Sequence, residues 1–144
     1  MRYFDAINHL SGDGPLTLVV DGDCMFNTVP NGSKVRIERR TCYWPGDVVV
    51  YGRGDDRLVM HRFLGYVLSR QGWCGVTRAD EAGRADAPMA VERILGKVIR
   101  IDQVPLHSGI LLRLRSLLHY VVAVVAWAGR VIERFLKKIG MFRT

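Results

Sequence analysis

The stretch Gly22-Asp23-Cys24-Met25-Phe26-Asn27-Thr28-Val29-Pro30-Asn31-Gly32-Ser33 organises the rest of the chain. It lies between two apolar alternating runs, residues 16–20 and 34–37, which are typical of β-strands. Glycines at both ends and the Pro-Asn-Gly sequence at residues 30–32 favour tight turns. The pattern therefore predicts two strands joined by a tightly turned segment that holds a single cysteine, Cys24.

The chain after this segment shows short apolar runs separated by turn residues. Strands are expected at residues 34–38, 48–51, 58–64, 66–69, 73–77 and 91–101, with hairpin loops at 52–56 and 70–72 and a bulge at Gly96. Residues 3–10 are compatible with a short helix. We expect an N-terminal segment (residues 1–15), a mainly β domain on a coiled antiparallel sheet (16–104) and a helical tail (105–144).

The tail from residue 108 to 139 shows a helical period with a wide apolar stripe and a narrow basic stripe. The polar face comprises Arg115, Ser116, His119, Arg130, Glu133, Arg134 and Lys137, with Ala123 and Ala126 in its middle. The uncharged run between Arg115 and Arg130 is 14 residues, which is shorter than the roughly 20 that cross a bilayer. The pattern favours an amphipathic helix on a membrane surface or a partner protein, with a membrane span and intramolecular packing as alternatives.

The composition narrows the partners and the compartment. The net charge of +7 favours an anionic partner, but residues 111–144 hold seven basic residues against one acid, Glu133. Because these charges lie on an apolar helix, they suit lipid better than nucleic acid, and no nucleic-acid partner is expected. The N-terminus lacks a long apolar signal region, so we expect a cytoplasmic protein peripheral to the membrane, with anchoring through the C-terminal helix as the alternative.

The three cysteines are too few for a disulfide framework. Cys42 and Cys74 could pair and leave Cys24 free, but three thiols in a reducing compartment are favoured. The cysteines and the four histidines show no pair at zinc-ligand spacing. No metal and no cofactor are therefore predicted.

The cysteine segment resembles the nucleophile box of the signal peptidase I superfamily, which includes the leader peptidases and the LexA-type self-cleaving repressors. That box reads Ser-Met-x-Pro-Thr-(Ile/Leu)-x-x-Gly-(Ser/Asp). The residues in register are Met25, Thr28, Gly32 and Ser33. Two positions depart from the box, because Cys24 stands at the nucleophilic serine and Asn27 at the proline.

Three further motifs follow in the family's order. Val59-Met60-His61-Arg62 is similar to the Val-x-His-Arg of the archaeal and endoplasmic-reticulum enzymes, and residues 46–49 match their Gly-Asp-(Val/Ile)-(Val/Ile) strand. Residues 77–86 are similar to their Thr-Lys-Gly-Asp-x-Asn-x-x-x-Asp loop, with Ala79 and Ala82 as departures. Residues 94–98 match Ile-x-Gly-(Lys/Arg)-Val. The resemblance thus covers residues 20–98 and implies a signal-peptidase-like β domain.

The resemblance also implies a set of site residues. Cys24 would be the nucleophile, His61 the base and Asp86 the carboxylate that orients the base, while Asp80 would support the site. The backbone N–H of Cys24 would donate to the oxyanion, and Gly22 stands where the family often has a second, hydroxyl donor. The extended substrate would lie between two strands, along Leu18, Val19, Val20, Asp21, Leu58, Val59 and Met60.

The expected function is cleavage of a leader or precursor peptide by a Cys-His-Asp mechanism, since cysteine beside histidine is a competent nucleophile. The main alternative is an inactive module that binds peptides with the same fold and docks through its C-terminal helix. A self-cleaving regulator is disfavoured, because only about 20 residues precede the nucleophile box and no DNA-binding domain fits there.

Overall fold

The structure, a computed structural model, describes residues 15–54, 57–70 and 72–138. The strands are β1 (Leu16–Val19), β2 (Lys34–Glu38), β3 (Val48–Arg53), β4 (Arg57–Ser69), β5 (Gly72–Arg78), β6 (Met89–Ala90), β7 (Ile94–Ile101) and β8 (Val104–Pro105). A single α-helix, α1, spans Ile110–Lys138. The predicted mainly β fold with a C-terminal helix is confirmed. The suggested helix at residues 3–10 lies outside the described residues.

The strands form one antiparallel sheet in the order β1-β2-β7-β3-β4-β5-β6, with β8 paired to β7. Three strands separate β1 from β4 in this order, yet side chains of both belong to one apolar core cluster. Leu16 of β1 and Met60 of β4 are buried in that cluster with Met25 and Val29 of the cysteine segment. The sheet must therefore curl to bring β1 and β4 face to face, and the cysteine segment closes the end between them.

The long strand β4 corrects the predicted pair of strands at residues 58–64 and 66–69. β4 runs through Gly65, with an irregular register against β5 between Phe63 and Gly65. A β-carbon on Gly65 would lie 2.7 Å from the ring of Tyr120. This glycine allows the helix to approach the strand and does not end the strand, which a sequence pattern cannot distinguish.

The last long strand begins later than predicted, because a short 3-10 helix at Val91–Arg93 precedes β7. The predicted bulge is confirmed, since Val50 pairs with Gly96 and Tyr51 with Ile94, which leaves Leu95 as the additional residue. A β-carbon on Gly96 would lie only 2.6 Å from the backbone oxygen of Glu38. Glycine is thus required here by the close approach of β2.

The helix α1 is continuous through Gly129. The face that packs on the sheet contains Ser116, Tyr120 and Ala123, whereas Arg115 and Arg130 of the predicted polar face are exposed. Ser116 is buried, the Tyr120 hydroxyl donates to the backbone oxygen of Tyr66, and Ala123 and Val124 pack on a buried cluster of β4 and β5. Intramolecular packing, one of the alternatives for the tail, therefore occurs along this face.

The opposite face of α1 is apolar and exposed. Its exposed side chains include Leu111, Leu114, Leu118, Val121, Val122, Val125 and Ile132. The stretch Ile110–Glu133 is long and apolar enough to cross a membrane, by length and composition alone. A contiguous exposed apolar face is typical of surfaces that contact a membrane or a partner protein.

Candidate active site

The imidazole of His61 and the carboxylate of Asp86 form a hydrogen-bonded pair. His61 lies in β4 and is 6% exposed, and its Nδ1 is 2.7 Å from Asp86 Oδ2. A carboxylate at Nδ1 favours the tautomer with hydrogen on that nitrogen. The Nε2 atom is then free to accept a proton, as a general base requires.

Several groups hold Asp86 in place. The Thr77 hydroxyl donates to Asp86 Oδ2 at 2.8 Å, and the Asp86 backbone N–H donates to the Thr77 oxygen at 2.8 Å. The Tyr51 hydroxyl lies 3.2 Å from His61 Nδ1. Burial raises the pKa of Asp86, but the hydrogen bonds and positive charge around it outweigh burial and lower the pKa overall. Asp86 is therefore ionised at neutral pH and can stabilise an imidazolium at His61.

Cys24 lies in a helical turn anchored by its neighbours. The backbone N–H groups of Thr28 and Val29 donate to the Met25 oxygen, and the Met25 and Val29 side chains are fully buried. The Cys24 side chain is exposed, and its thiol donates to the Met60 backbone oxygen at 3.5 Å. Met60 immediately precedes His61, so the turn brings the thiol beside the strand segment that carries the imidazole.

The resting Cys24 thiol is protonated at neutral pH. Burial has the largest effect and raises the pKa of the thiol. The backbone N–H of Cys24 lowers this pKa, and the negative charges of Asp86, Asp23 and Asp80 raise it further. The net shift is upward. A resting thiolate–imidazolium pair, which would lower the pKa of the thiol, is not what this arrangement produces.

We therefore expect Cys24 to be alkylated with a midpoint above the value of about 8.5 of a free thiol. The measurement is the pH dependence of alkylation by a small neutral reagent, followed at Cys24 by peptide mass spectrometry. Because the Asp86 carboxylate raises the pKa of the thiol, Asp86→Asn should move the midpoint downward. A wild-type midpoint below neutral pH would contradict this electrostatic picture and indicate a preformed ion pair.

A buried ion pair ties the cysteine turn to the histidine strand. Arg62, which is 4% exposed, donates from Nε and Nη2 to the two carboxylate oxygens of Asp80 at 2.7 and 2.6 Å. The same guanidinium reaches the Thr28 hydroxyl and the Gly46 oxygen, both at 2.8 Å. The Thr28 hydroxyl in turn donates to Asp80. Asp80 thus supports the site by fixing three chain segments and does not contact His61 in the described hydrogen bonds.

Two strand segments beside the cysteine have an unpaired edge in the described part of the chain. β1 pairs with β2 on one side only. Residues 57–61 of β4 pair with β3, and the pairing of β4 with β5 begins at Arg62. The Met60 oxygen points to this free edge, since it accepts the Cys24 thiol. An extended peptide could add its backbone hydrogen bonds to such edges.

The structure brings Cys24, His61 and Asp86 into one region and sets Asp80 beside them. Leu18 and Leu58 of the predicted substrate strands pack on the same core cluster. Thr28, Arg62 and Thr77 lie in the motifs, and Tyr51 follows one of them, but the sequence assigned none of these residues a role. Their side chains bond to the histidine or to the two aspartates, which only the folded chain reveals.

The remaining cysteines are free thiols, as favoured from the sequence, with Cys42 exposed and Cys74 buried. Among residues 15–54, 57–70 and 72–138, no group of three or more His, Cys, Asp or Glu side chains could hold a metal ion. Comparisons with models of protein families, with curated proteins and with solved structures found no match. The resemblance to signal peptidases therefore rests on the motifs.

Proposed function

We propose that this protein is a signal-peptidase-like endopeptidase that cleaves a leader or precursor peptide with Cys24, His61 and Asp86. The observation that carries the proposal is the 2.7 Å pair between His61 Nδ1 and Asp86 Oδ2 on the strand whose Met60 oxygen holds the Cys24 thiol. This arrangement supplies a nucleophile, a base and an orienting carboxylate, the three groups that covalent peptide hydrolysis needs.

The substrate itself would complete the activation of the cysteine. At rest the thiol proton is donated to the Met60 oxygen. A peptide strand added at the free edge of residues 57–61 would offer its own N–H to that oxygen and release the thiol. His61 Nε2 would then take the thiol proton as the sulfur attacks the scissile carbonyl, which explains why the thiol need not ionise beforehand.

The later steps use the same groups. The backbone N–H of Cys24 would donate to the oxyanion, and the imidazolium, stabilised by Asp86, would return its proton to the leaving amine. This leaves a thioester on Cys24 and a free amine. His61 would deprotonate a water that attacks the thioester, and the acid product would leave as the thiol regains its proton.

The test of this proposal is cleavage of a library of extended peptides with small side chains at varied positions, followed by mass spectrometry. We expect cleavage at a defined position by the wild-type protein and a thioester that hydroxylamine intercepts. Cys24→Ala is the matched control. Identical fragments from this variant would indicate a contaminating protease and would overturn the assignment.

The second candidate, an inactive module that binds peptides, is favoured by the surroundings of Cys24, because burial and the nearby carboxylates raise the pKa of its thiol. Such a module would keep the two free strand edges and would not need a reactive thiol. It predicts saturable peptide binding that is equal in wild type and Cys24→Ala, with no fragments in either. The library experiment therefore distinguishes the two candidates directly.

We propose that α1 lies in the plane of a membrane surface on the cytoplasmic side. Its contacts with the sheet extend from Arg113, against Gly46, through Tyr120, against Gly65, to Ala123 and beyond. A helix packed along the domain in this way cannot cross a bilayer unless the polar surface of the domain enters with it. Its apolar face is free to enter the acyl boundary, with arginines at the headgroups.

Sedimentation with vesicles tests this orientation. We expect the protein to bind phosphatidylcholine vesicles, and Val125→Asp, on the exposed apolar face, to weaken binding several-fold, because a charge there must be moved out of water. Thr17→Asp, on exposed β1 surface, adds the same charge away from the helix and should change binding little. Equal effects of the two variants would contradict insertion of this face.

A further inference from the structure

A small polar pocket lies where the first half of α1 meets the sheet. It encloses about 160 Å³, which is room for several water molecules. Its walls are the cysteine turn, the end of β5 and α1, through Asn27, Thr28, Arg62, Leu64, Arg78, Asp80, Leu112, Arg115, Ser116 and His119. We propose that this pocket binds a phosphate group through Arg78 and Arg115.

Arg78, which is buried in this pocket together with Arg62, is incompletely bonded. The residue is 8% exposed, and its Nε is buried with no hydrogen-bond partner among the described residues. Its Nη1 lies 3.4 Å from His119 Nδ1, which can accept a hydrogen bond but carries no negative charge. A buried guanidinium N–H without an acceptor is unfavourable, because its hydrogen bond to water is lost and not replaced. An anion in the pocket would supply the missing acceptor.

The charges around the pocket do not balance. Arg62, Arg78 and Arg115 face a single carboxylate, Asp80, and that carboxylate is already held by both arms of Arg62. The nearby acid Glu81 accepts from Asn27. Arg78 and Arg115 thus have no carboxylate partner among the described ion pairs. Burial first, and then the positive charges of Arg78 and Arg115, lower the pKa of His119. Arg78 and the more exposed Arg115 line the same small pocket, and guanidinium groups suit phosphate because they can donate two parallel hydrogen bonds to it.

The position of the pocket connects it with both the helix and the catalytic region. Arg115 and His119 come from α1, whose apolar face is exposed, while Thr28 comes from the turn that carries Cys24. A phosphate here would bridge helix and turn. The phosphate could be free in solution or belong to a lipid headgroup that reaches the pocket beside the helix, and the chemistry of recognition is the same in both cases.

Titration of the full chain in neutral detergent with inorganic phosphate tests the site, by calorimetry at low ionic strength. We expect saturable binding that is weakened about tenfold or more by Arg78→Gln and by Arg115→Gln, since each removes a charged hydrogen-bond donor. Arg36→Gln, an exposed arginine of β2, is the matched control and should bind as wild type does. Because Arg78 is buried and its variant could unfold, Arg115→Gln decides the outcome.

Vesicles distinguish the sources. If the ligand is a lipid headgroup, Arg115→Gln reduces the preference for phosphatidylcholine vesicles that contain phosphatidate over pure phosphatidylcholine, and Arg36→Gln does not. If it is free phosphate, calorimetry shows the loss and the vesicle preference stays unchanged. The site is overturned if wild type binds neither phosphate nor phosphatidate selectively, or if Arg115→Gln and Arg36→Gln lose equal affinity. None of these readouts requires peptide cleavage, so they are independent of the proposed peptidase activity.

Discussion

Replacing Cys24 or His61 with alanine is expected to lower the kcat/KM of peptide cleavage by about 10³-fold or more, because nucleophile and base act as one unit. The two single variants and the double variant should therefore lose similar amounts. The measurement is the rate of cleavage of the best peptide from the library. Cys42→Ala removes another exposed thiol and should retain wild-type activity.

Asp86→Asn should also lose activity, although every other bond around it can persist. The amide cannot stabilise the imidazolium at His61 as the carboxylate does, and it can hold the ring in the wrong tautomer. The thiol of this variant should nevertheless ionise more easily, since the negative charge at residue 86 raises the pKa of Cys24. If the variant is less active although its thiol ionises more easily, then Asp86 acts by positioning the base and not by activating the thiol. Wild-type activity in either His61→Ala or Asp86→Asn would remove these residues from the mechanism.

Asp80→Asn is expected to lower the free energy of unfolding by about 3–5 kcal/mol at pH 7, because it leaves the buried charge of Arg62 without its partner. Asp80 also accepts the Thr28 hydroxyl, so the cysteine turn loses an anchor. The measurement is urea unfolding, with exposed Glu92→Gln as a matched loss of one acid. Equal stability of the two variants would contradict the role of this ion pair.

The same ion pair predicts a dependence of stability on pH. Burial raises the pKa of Asp80, but the hydrogen bonds from Arg62 and Thr28 and the charges of Arg62 and Arg78 lower it overall. Because the pKa of Asp80 is lower in the folded state, its charge stabilises the fold at pH values above the pKa of the unfolded state, which is about 3.9. This contribution is lost as the pH falls through the pKa of the folded state. Between pH 5 and pH 2, the free energy of unfolding should thus fall more for the wild type than for Asp80→Asn. The variant should keep part of this fall, because the pKa of Asp86 is lowered in the folded state as well.

Much of the β architecture was accessible from local pattern. The alternation at residues 34–38 predicted β2, and the apolar run at residues 48–51 predicted the start of β3. Gly65 misled the prediction. The prediction ended one strand at Leu64 and began the next at Tyr66, but Gly65 lies within β4 and gives room to Tyr120, a residue 55 positions further along the chain.

The candidate site, like the fold, could be predicted only in part. The motifs predicted that Cys24, His61 and Asp86 would act together, and the fold brings the imidazole and Asp86 into direct contact. The role of Cys24 as nucleophile stays a prediction. The bond of the thiol to the Met60 oxygen and the raised pKa of the thiol could not be predicted, because both depend on how deeply the turn sits against β4.

The sequence by itself determined the sheet-forming segments, the turn around Cys24 and the amphipathic character of the tail, since each depends on neighbours a few positions away. Only the tertiary structure decided which face of α1 meets the domain. The face with Ser116, Tyr120 and Ala123 packs inward and an apolar face points outward, because Arg78, the oxygen of Tyr66 and the space above Gly65 offer partners to polar and aromatic side chains of the helix. That choice creates both the exposed apolar surface and the arginine pocket, and periodicity alone is equally compatible with the opposite orientation.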